Sequence, residues 1–239
     1  MKEKVLIIIP AYNEEKNIEH LIDDLIENYP QYDYIVINDC STDSTEDILK
    51  RRQFNYISLP TNLGIGGGVQ SGYMYAVEND YDIAVQLDGD GQHDPAYIEK
   101  LVKPIVDGET DIAIGSRFIE KKGFQSSAMR RLGINILGGV IRLCCGEHIT
   151  DPTSGFRASN RRAAEFFSRN YANDYPEPEA IVSSALNGFA IKEVPVIMRE
   201  RGGGVSSINF KRSFYYMIKV STALLICRIG TRKKRRNTR

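Results

Sequence analysis

The chain has 239 residues, room for one α/β domain or two small ones, and its hydrophobic content of 42% is ample for a buried core. Its 31 basic and 31 acidic groups cancel, but seven of the basic ones lie at positions 228–239, where there is no acid; the body is left with 24 basic against 31 acidic groups, a net of −7. An acidic body with a basic tail argues against broad nucleic-acid binding by the main domain and fits a tail that meets an anionic surface.

The first half alternates strand and helix patterns. Residues 4–9 read as a buried strand that ends at Pro10, and 17–28 have helical spacing through Ile18, Leu21, Ile22, Leu25 and Ile26. Residues 34–37 are a second strand, and 44–52 a helix with Ser44 as its N-cap and Asp47 three positions on. A third strand is expected at 56–59, a helix at 65–78 and a fourth strand at 83–87. Asp94 and Pro95 open a helix that runs to 106, with proline in the first turn, and 111–115 is a fifth strand. Such alternation predicts a doubly wound, mostly parallel sheet.

The second half is less regular. A helix is expected at 128–143, broken by Gly138 and Gly139, then a loop at 151–157. A short helix follows at 179–187, and a strand element at 190–198 interrupted by Pro195. Residues 199–207 are glycine-rich, and 210–229 form a long apolar helix. There is no internal repeat. Cys40, Cys144, Cys145 and Cys227 make no Cys-x-x-Cys pair, and no histidine spacing suggests zinc. Without a secretory signal in residues 1–10, the expected compartment is the reducing cytoplasm.

The most telling stretch is 83–92, Ile-Ala-Val-Gln-Leu-Asp-Gly-Asp-Gly-Gln. An apolar strand stops at Asp88 and Asp90, separated only by Gly89. Two such carboxylates repel unless a positive charge lies between them, and Mg²⁺ or Mn²⁺ favours oxygen ligands shared with substrate phosphates. Gln92 adds a neutral oxygen, and the glycines admit a diphosphate close to the backbone. An Asp-Gly turn is the plainer alternative. In a doubly wound sheet ligands gather beyond the carboxyl ends of the strands. Tyr12-Asn13-Glu14, Asn38-Asp39, Asn62 and Asp88–Asp90 each follow a strand end, which points to one shared ligand edge. The run Gly64, Gly66, Gly67, Gly68 lacks the dinucleotide spacing, since Val69 and Ser71 stand where the third glycine would fall, so it is expected to let a helix begin tightly beside that edge.

Pro10-Ala11-Tyr12-Asn13-Glu14, the strand end Ile37-Asn38-Asp39 with Cys40-Ser41-Thr42-Asp43, Asn62-Leu63-Gly64 and Asp88-Gly89-Asp90 occur in one order and spacing. Together they resemble the inverting family-2 glycosyltransferases of GT-A fold, over about residues 4–210. Asp88 to Gln92, Asp151 to Arg157 and Arg201 to Ser207 are most similar to the polyprenyl-phosphate sugar transferases, such as dolichol-phosphate mannose synthases.

The resemblance implies a nucleotide-diphosphate sugar as donor, a polyprenyl phosphate as acceptor and Mg²⁺ or Mn²⁺ as cofactor. Pro10, Tyr12, Glu14, Asp39 and Asn62 would line the nucleotide sugar. Asp88 would hold ribose or metal, and Asp90 and Gln92 the metal. Glu14 also reads as an acid at a helix N-terminus. Arg117 would point toward the acceptor, and Arg199, Arg201, Ser206 and Ser207 would bind it. Arg157 is expected either to brace Asp151 or to act in catalysis. Many relatives carry an acid pair before the last helices; here Glu177-Pro178-Glu179 stands instead, with Glu179 the closer match.

The expected organisation is a GT-A domain at 1–209 and an amphipathic helix with a basic tail at 210–239, held peripherally on the cytoplasmic face of the cell membrane. The uncharged stretch 220–227 is too short to span a bilayer. A core helix, an oligomer interface or a small membrane partner are the alternatives for it. The rival functions are transfer to a sugar hydroxyl of a polysaccharide, which requires Glu177 or Glu179 as base, and a non-catalytic nucleotide-sugar sensor.

Overall fold

The computed structural model describes residues 3–120, 122, 128–199 and 218–230. Among these residues seven strands form one sheet: β1 (Val5–Ala11), β2 (Asp33–Asn38), β3 (Tyr56–Ser58), β4 (Ile83–Gln86), β5 (Ile112–Ser116), β6 (Arg157–Asn160) and β7 (Ile191–Pro195). Their order is β3-β2-β1-β4-β6-β5-β7, and β6 alone runs antiparallel to its neighbours. The helices are α1 (Ile18–Asn28), α2 (Thr45–Arg52), α3 (Gly64–Glu78), α4 (Ile98–Val106), α5 (Ala128–Cys145), α6 (Arg161–Arg169) and α7 (Pro176–Leu186), with a last helix, α8, at 218–230.

Strand alternation sends β1 side chains to two cores. Val5, Ile7 and Ile9 face the layer with Ile18, Ile22, Leu25 and Leu101; Leu6 and Ile8 face the layer with Tyr73, Leu137, Phe167 and Val182. The second layer extends to α8 through Val220 and Leu224. Among the described residues no helix is long and apolar enough to cross a membrane.

Several expectations change here. Helix α5 runs unbroken through Gly138 and Gly139, because burying Ile134, Leu137 and Ile141 outweighs the roughly 1 kcal/mol per glycine that a helix interior costs. Ser44 makes no side-chain cap; Asp43 Oδ1 instead accepts the Thr45 N–H at 2.9 Å and its hydroxyl at 2.6 Å. The α3 glycines serve packing: a Cβ on Gly72 would fall 2.2 Å from Ile8 Cγ2, and one on Gly66 2.0 Å from the Ala172 carbonyl. The 151–157 loop ends in an unforeseen strand, β6, and α7 starts three residues early, at Pro176. The expected boundary at 209/210 lies outside the described residues.

Candidate active site

The parallel strands β1, β2 and β4 all end at one edge. Because β6 is antiparallel, its first residue, Arg157, pairs with Gln86 at the end of β4, so the 151–156 loop arrives at that same edge. Strand β5 also ends there, followed by Arg117. The reversal of chain order between β1 and β4 is the place where doubly wound sheets bind ligands.

The first side of the site is built from linked loops. The Gly89 N–H donates to the Pro10 carbonyl at 3.3 Å, and the Asp39 N–H to the Ala11 carbonyl at 2.9 Å. A Cβ on Gly89 would lie 3.1 Å from the Pro10 oxygen and 3.5 Å from Glu14 Cγ, so glycine keeps these segments in contact. Asp39 is buried; its Oδ1 accepts the Leu63 N–H at 2.7 Å, and its carbonyl accepts Asn62 Nδ2 at 3.0 Å. Glu14 accepts Asn17 Nδ2 at 2.9 Å. Asn13 and Cys40 both take φ of +58°, a left-handed strain that clusters at functional sites. Pro10, Glu14, Asp39, Asn62 and Asp88 thus come together, with Tyr12 48% exposed on the same rim.

Asp88 is gripped from three directions. Gln86 Nε2 donates to its Oδ1 at 3.0 Å. The Asp88 N–H donates to His93 Nδ1 at 3.0 Å, which puts the imidazole proton on Nε2, 3.7 Å from Asp88 Oδ2. His93 is buried and stacks on Phe156 at 4.9 Å. Gly155 covers the third direction, since a Cβ there would sit 2.8 Å from both Asp88 Oδ2 and Gln86 Nε2. Asp90 Oδ1 accepts the Gln92 N–H at 3.0 Å. The Gln92 carbonyl accepts the Arg199 N–H at 2.9 Å, and the Arg199 guanidinium pairs with Asp94 at 2.9 Å. Arg199 therefore stands beside the aspartate loop. Arg201, Ser206 and Ser207 lie outside the described residues.

On the far side, Arg117 does not extend freely toward an acceptor. Its Nε and Nη2 hold Asp151 at 2.7 and 2.6 Å, and Nη2 also reaches Thr153 Oγ1 at 3.1 Å. Of the two expectations for Arg157, the brace on Asp151 is not met. Its Nε donates to the Ser154 carbonyl at 2.8 Å and its Nη1 to the Glu177 carbonyl at 2.9 Å. Arg157 Nη2 and Ser154 Oγ are buried without a hydrogen-bond partner among the described residues. The guanidinium of Arg131 lies 3.7 Å from the centre of the Phe118 ring, and that of Arg117 lies 5.2 Å from the same centre.

The two α7 glutamates have different surroundings. Burial pushes the Glu177 carboxyl up; Arg157 opposes this and Asp88 adds to it. Burial also raises Glu179, with Asp174 adding and Lys219 opposing. Glu177 thus shares its field with Asp88, whereas Glu179 faces the Asp174–Lys219 pair, 2.6 Å apart, on the side of α8. Gln86, His93, Gly155 and Tyr171 complete the site and were not singled out from sequence. The one available signal was Gln86, a polar residue inside an otherwise apolar strand.

Residues 6–167 match the family described as Glycosyl transferase family 2. The chain is 32% identical to the UDP-N-acetylglucosamine--dolichyl-phosphate N-acetylglucosaminyltransferase of Methanococcus voltae, covering 82% of this chain and 86% of that one. It is 28% identical to the polyprenol monophosphomannose synthase of Mycolicibacterium smegmatis, covering 92% and 86%. The glucosyl-3-phosphoglycerate synthase of Mycobacterium tuberculosis, solved with Mn²⁺, UDP-glucose and phosphoglyceric acid, superposes with a TM-score of 0.73 at 22% identity, covering 95% and 80%. That last likeness bears on the fold alone, and it agrees with the GT-A architecture expected from the motifs. With a family match over two thirds of its length and its aspartates at the switch point of the sheet, the chain belongs to glycosyl transferase family 2 and is a glycosyltransferase of GT-A fold.

Proposed function

We propose that the chain moves a sugar from a nucleotide-diphosphate donor to a polyprenyl phosphate, with Mg²⁺ or Mn²⁺. The observation that carries this reading is the convergence of Pro10, Glu14, Asp39, Asn62 and the Asp88-Gly89-Asp90 turn on one edge. It is supported by relatives above a quarter identical whose names specify dolichyl or polyprenol phosphate.

The donor set fits a shared cation. Among the described residues no group of three or more His, Cys, Asp or Glu side chains is arranged to hold a metal ion. Two carboxylates, Asp88 and Asp90, with the Gln92 amide oxygen, are the partial set that Mg²⁺ usually meets, the remainder being phosphate oxygens and water. A cation held there would neutralise charge on the departing diphosphate. Pro10, Tyr12 and Glu14 would lie along the nucleoside, with Asp39 accepting from base or ribose. Arg199, beside Gln92, and Arg201, Ser206 and Ser207, which follow it in sequence, would take the acceptor phosphate, while Arg117 would serve the site through the 151–157 loop that it anchors.

An acceptor phosphate oxygen would form its bond to the anomeric carbon from the face opposite the diphosphate, whose bond to that carbon breaks, and the configuration inverts. A phosphate monoester already carries about −1.5 to −2 charge near neutrality, so no proton needs removing. On α7, Glu177 shares the field of Asp88, and burial pushes its carboxyl up. Transfer to a sugar hydroxyl is the second reading, and it would assign Glu177, rather than Glu179, the role of base.

The membrane surface is the proposed meeting place. Helix α8 leaves Ile218, Leu225, Ile226 and Ile229 exposed, and α5, packed in the same core layer, leaves Leu132, Ile136 and Leu143 exposed. Seven basic residues at 228–239 would add attraction to anionic headgroups. The proposed position is peripheral, on the cytoplasmic face, where the expected anionic headgroups would meet the basic residues. A second copy of the chain or a small membrane protein are the other partners such faces would suit.

Turnover of UDP- and GDP-sugars in the presence of polyprenyl phosphate, with and without EDTA, tests the reading. Metal-dependent release of the nucleoside diphosphate supports it. Tight binding of a nucleotide sugar without turnover under any of these conditions would mark a sensor instead.

A further inference from the structure

Gln86 is fully buried at the end of a strand whose other residues are Ile83, Ala84 and Val85. A buried carboxamide is costly unless its groups are bonded. Both ends of this one are bonded, and to different things. Its Nε2 donates to Asp88 Oδ1 at 3.0 Å, and its Oε1 accepts from the Tyr171 hydroxyl at 3.4 Å. The carboxylate settles which way the amide faces: it can only accept, so the NH₂ lies on Asp88 and the amide oxygen is left to accept from the Tyr171 hydroxyl. Tyr171 is itself fixed, buried with its ring 5.3 Å from Phe167 and 5.5 Å from Tyr73. The backbone of Gly155 closes over the contact, leaving no room for even a methyl group above it.

We infer that Gln86, oriented by Tyr171 and covered by Gly155, is a positioning residue that sets the Asp88 carboxylate for the donor's metal-bound diphosphate. The inference rests on the proposed role of Asp88. A core needs no amide at this position: valine or isoleucine would continue the strand at no polar cost. An amide is needed if one Asp88 oxygen must be held while the other, on the His93 side, stays directed along the site. A carboxylate with one oxygen tied keeps a single rotamer, and partners of this kind behind a ligand change affinity for metal by about 10–100-fold.

Binding of Mn²⁺·UDP and Mn²⁺·GDP to the full chain, followed by calorimetry and by the EPR signal of free Mn²⁺, tests this. Wild type should bind at least one of them, and Asp88→Asn should lose it. If wild type does not bind, or Asp88→Asn binds equally, the proposed donor site fails and this inference with it. Given that binding, Gln86→Leu should weaken it about 10–100-fold while its thermal melt stays close to wild type. Tyr171→Phe should show a smaller loss of the same kind. A folded Gln86→Leu that binds within twofold of wild type overturns the inference and leaves the donor site standing. If Gln86→Leu does not fold, Gly155→Ala takes its place: the added methyl pushes on the same contact, and unchanged Mn²⁺·nucleotide affinity in that variant would be equally fatal.

Discussion

Arg117 and Asp151 form a two-pronged ion pair, Nε to Oδ2 at 2.7 Å and Nη2 to Oδ1 at 2.6 Å, with side chains 7% and 0% exposed. Asp151 is further fixed through its own N–H, which donates to Glu193 Oε1 on β7 at 2.8 Å. The pair therefore joins the end of β5 to the loop that carries Gly155 over Asp88. A sequence motif that resembles an acceptor-binding arginine is, in the fold, also the anchor of the loop covering the donor edge.

Breaking one half of a buried pair leaves an uncompensated charge. Asp151→Leu is expected to cost about 3–5 kcal/mol in urea unfolding. The double variant Arg117→Met with Asp151→Leu should recover most of that loss. A single Asp151→Leu variant within about 1 kcal/mol of wild type would show that the pair carries little of the loop's stability.

Asp90→Ala removes an acid from a partly exposed turn, so folding should survive. If it helps hold the cation on the leaving diphosphate, the rate should fall by about 10²-fold or more. Near-wild-type turnover of Asp90→Ala in excess EDTA would remove both the residue and the metal from the account.

The two glutamates of α7 separate by substitution. With phosphate as nucleophile, Glu177→Gln and Glu179→Gln should both keep substantial activity. With a sugar hydroxyl as nucleophile, Glu177→Gln should lose about 10²–10⁴-fold. There is also a signature in stability. The folded state holds the Glu177 proton more tightly than the unfolded chain, because burial raises its carboxyl, with Arg157 opposing and Asp88 adding to it. Its contribution is therefore most favourable below the ordinary glutamate range and is lost as pH rises through that range toward the raised value. Thermal melts of wild type relative to Glu177→Gln should fall across that interval. A constant difference between them would contradict the placement of this carboxyl.

The parallel strands and their polar ends were legible because β1, β2 and β4 are short apolar runs closed by Pro10, Asn38 and Asp88, and strand period and switch-point rules act locally. Strand β6 was not legible, since Arg157-Ala158-Ser159-Asn160 carries no apolar run and is held by pairing with β4 and β5. The grip on Asp88 was hidden for a related reason. Gln86, Gly155 and Tyr171 are far apart in sequence, and only the antiparallel return of β6 lays the glycine against the aspartate. The choice between Glu177 and Glu179 depends on helix rotation, which two acids in one first turn do not reveal.

The exposed apolar faces can be tested without disturbing the core. Ile226 and Ile229 are 63% and 66% exposed on α8, and Leu132 and Leu143 are 56% and 67% exposed on α5. Serine at all four should leave the melt unchanged and reduce sedimentation with anionic vesicles, because buried CH₂ groups contribute about 0.8 kcal/mol each to membrane binding. Raising salt should weaken what remains, as the basic residues at 228–239 are screened. Undiminished vesicle binding by the four-serine variant would assign these faces to an oligomer or a partner subunit.

The most direct test is the identity of the product. Purified chain, Mn²⁺ or Mg²⁺, labelled UDP- or GDP-sugars and vesicles containing a polyprenyl phosphate should give a lipid whose mass equals the acceptor plus one glycosyl residue, with the configuration at the anomeric carbon inverted. The corresponding polyprenol, lacking phosphate, should yield none. Label that appears on a polysaccharide hydroxyl, with no sugar on the lipid phosphate under any donor, would contradict the account and leave Glu177 as the base of a different transferase.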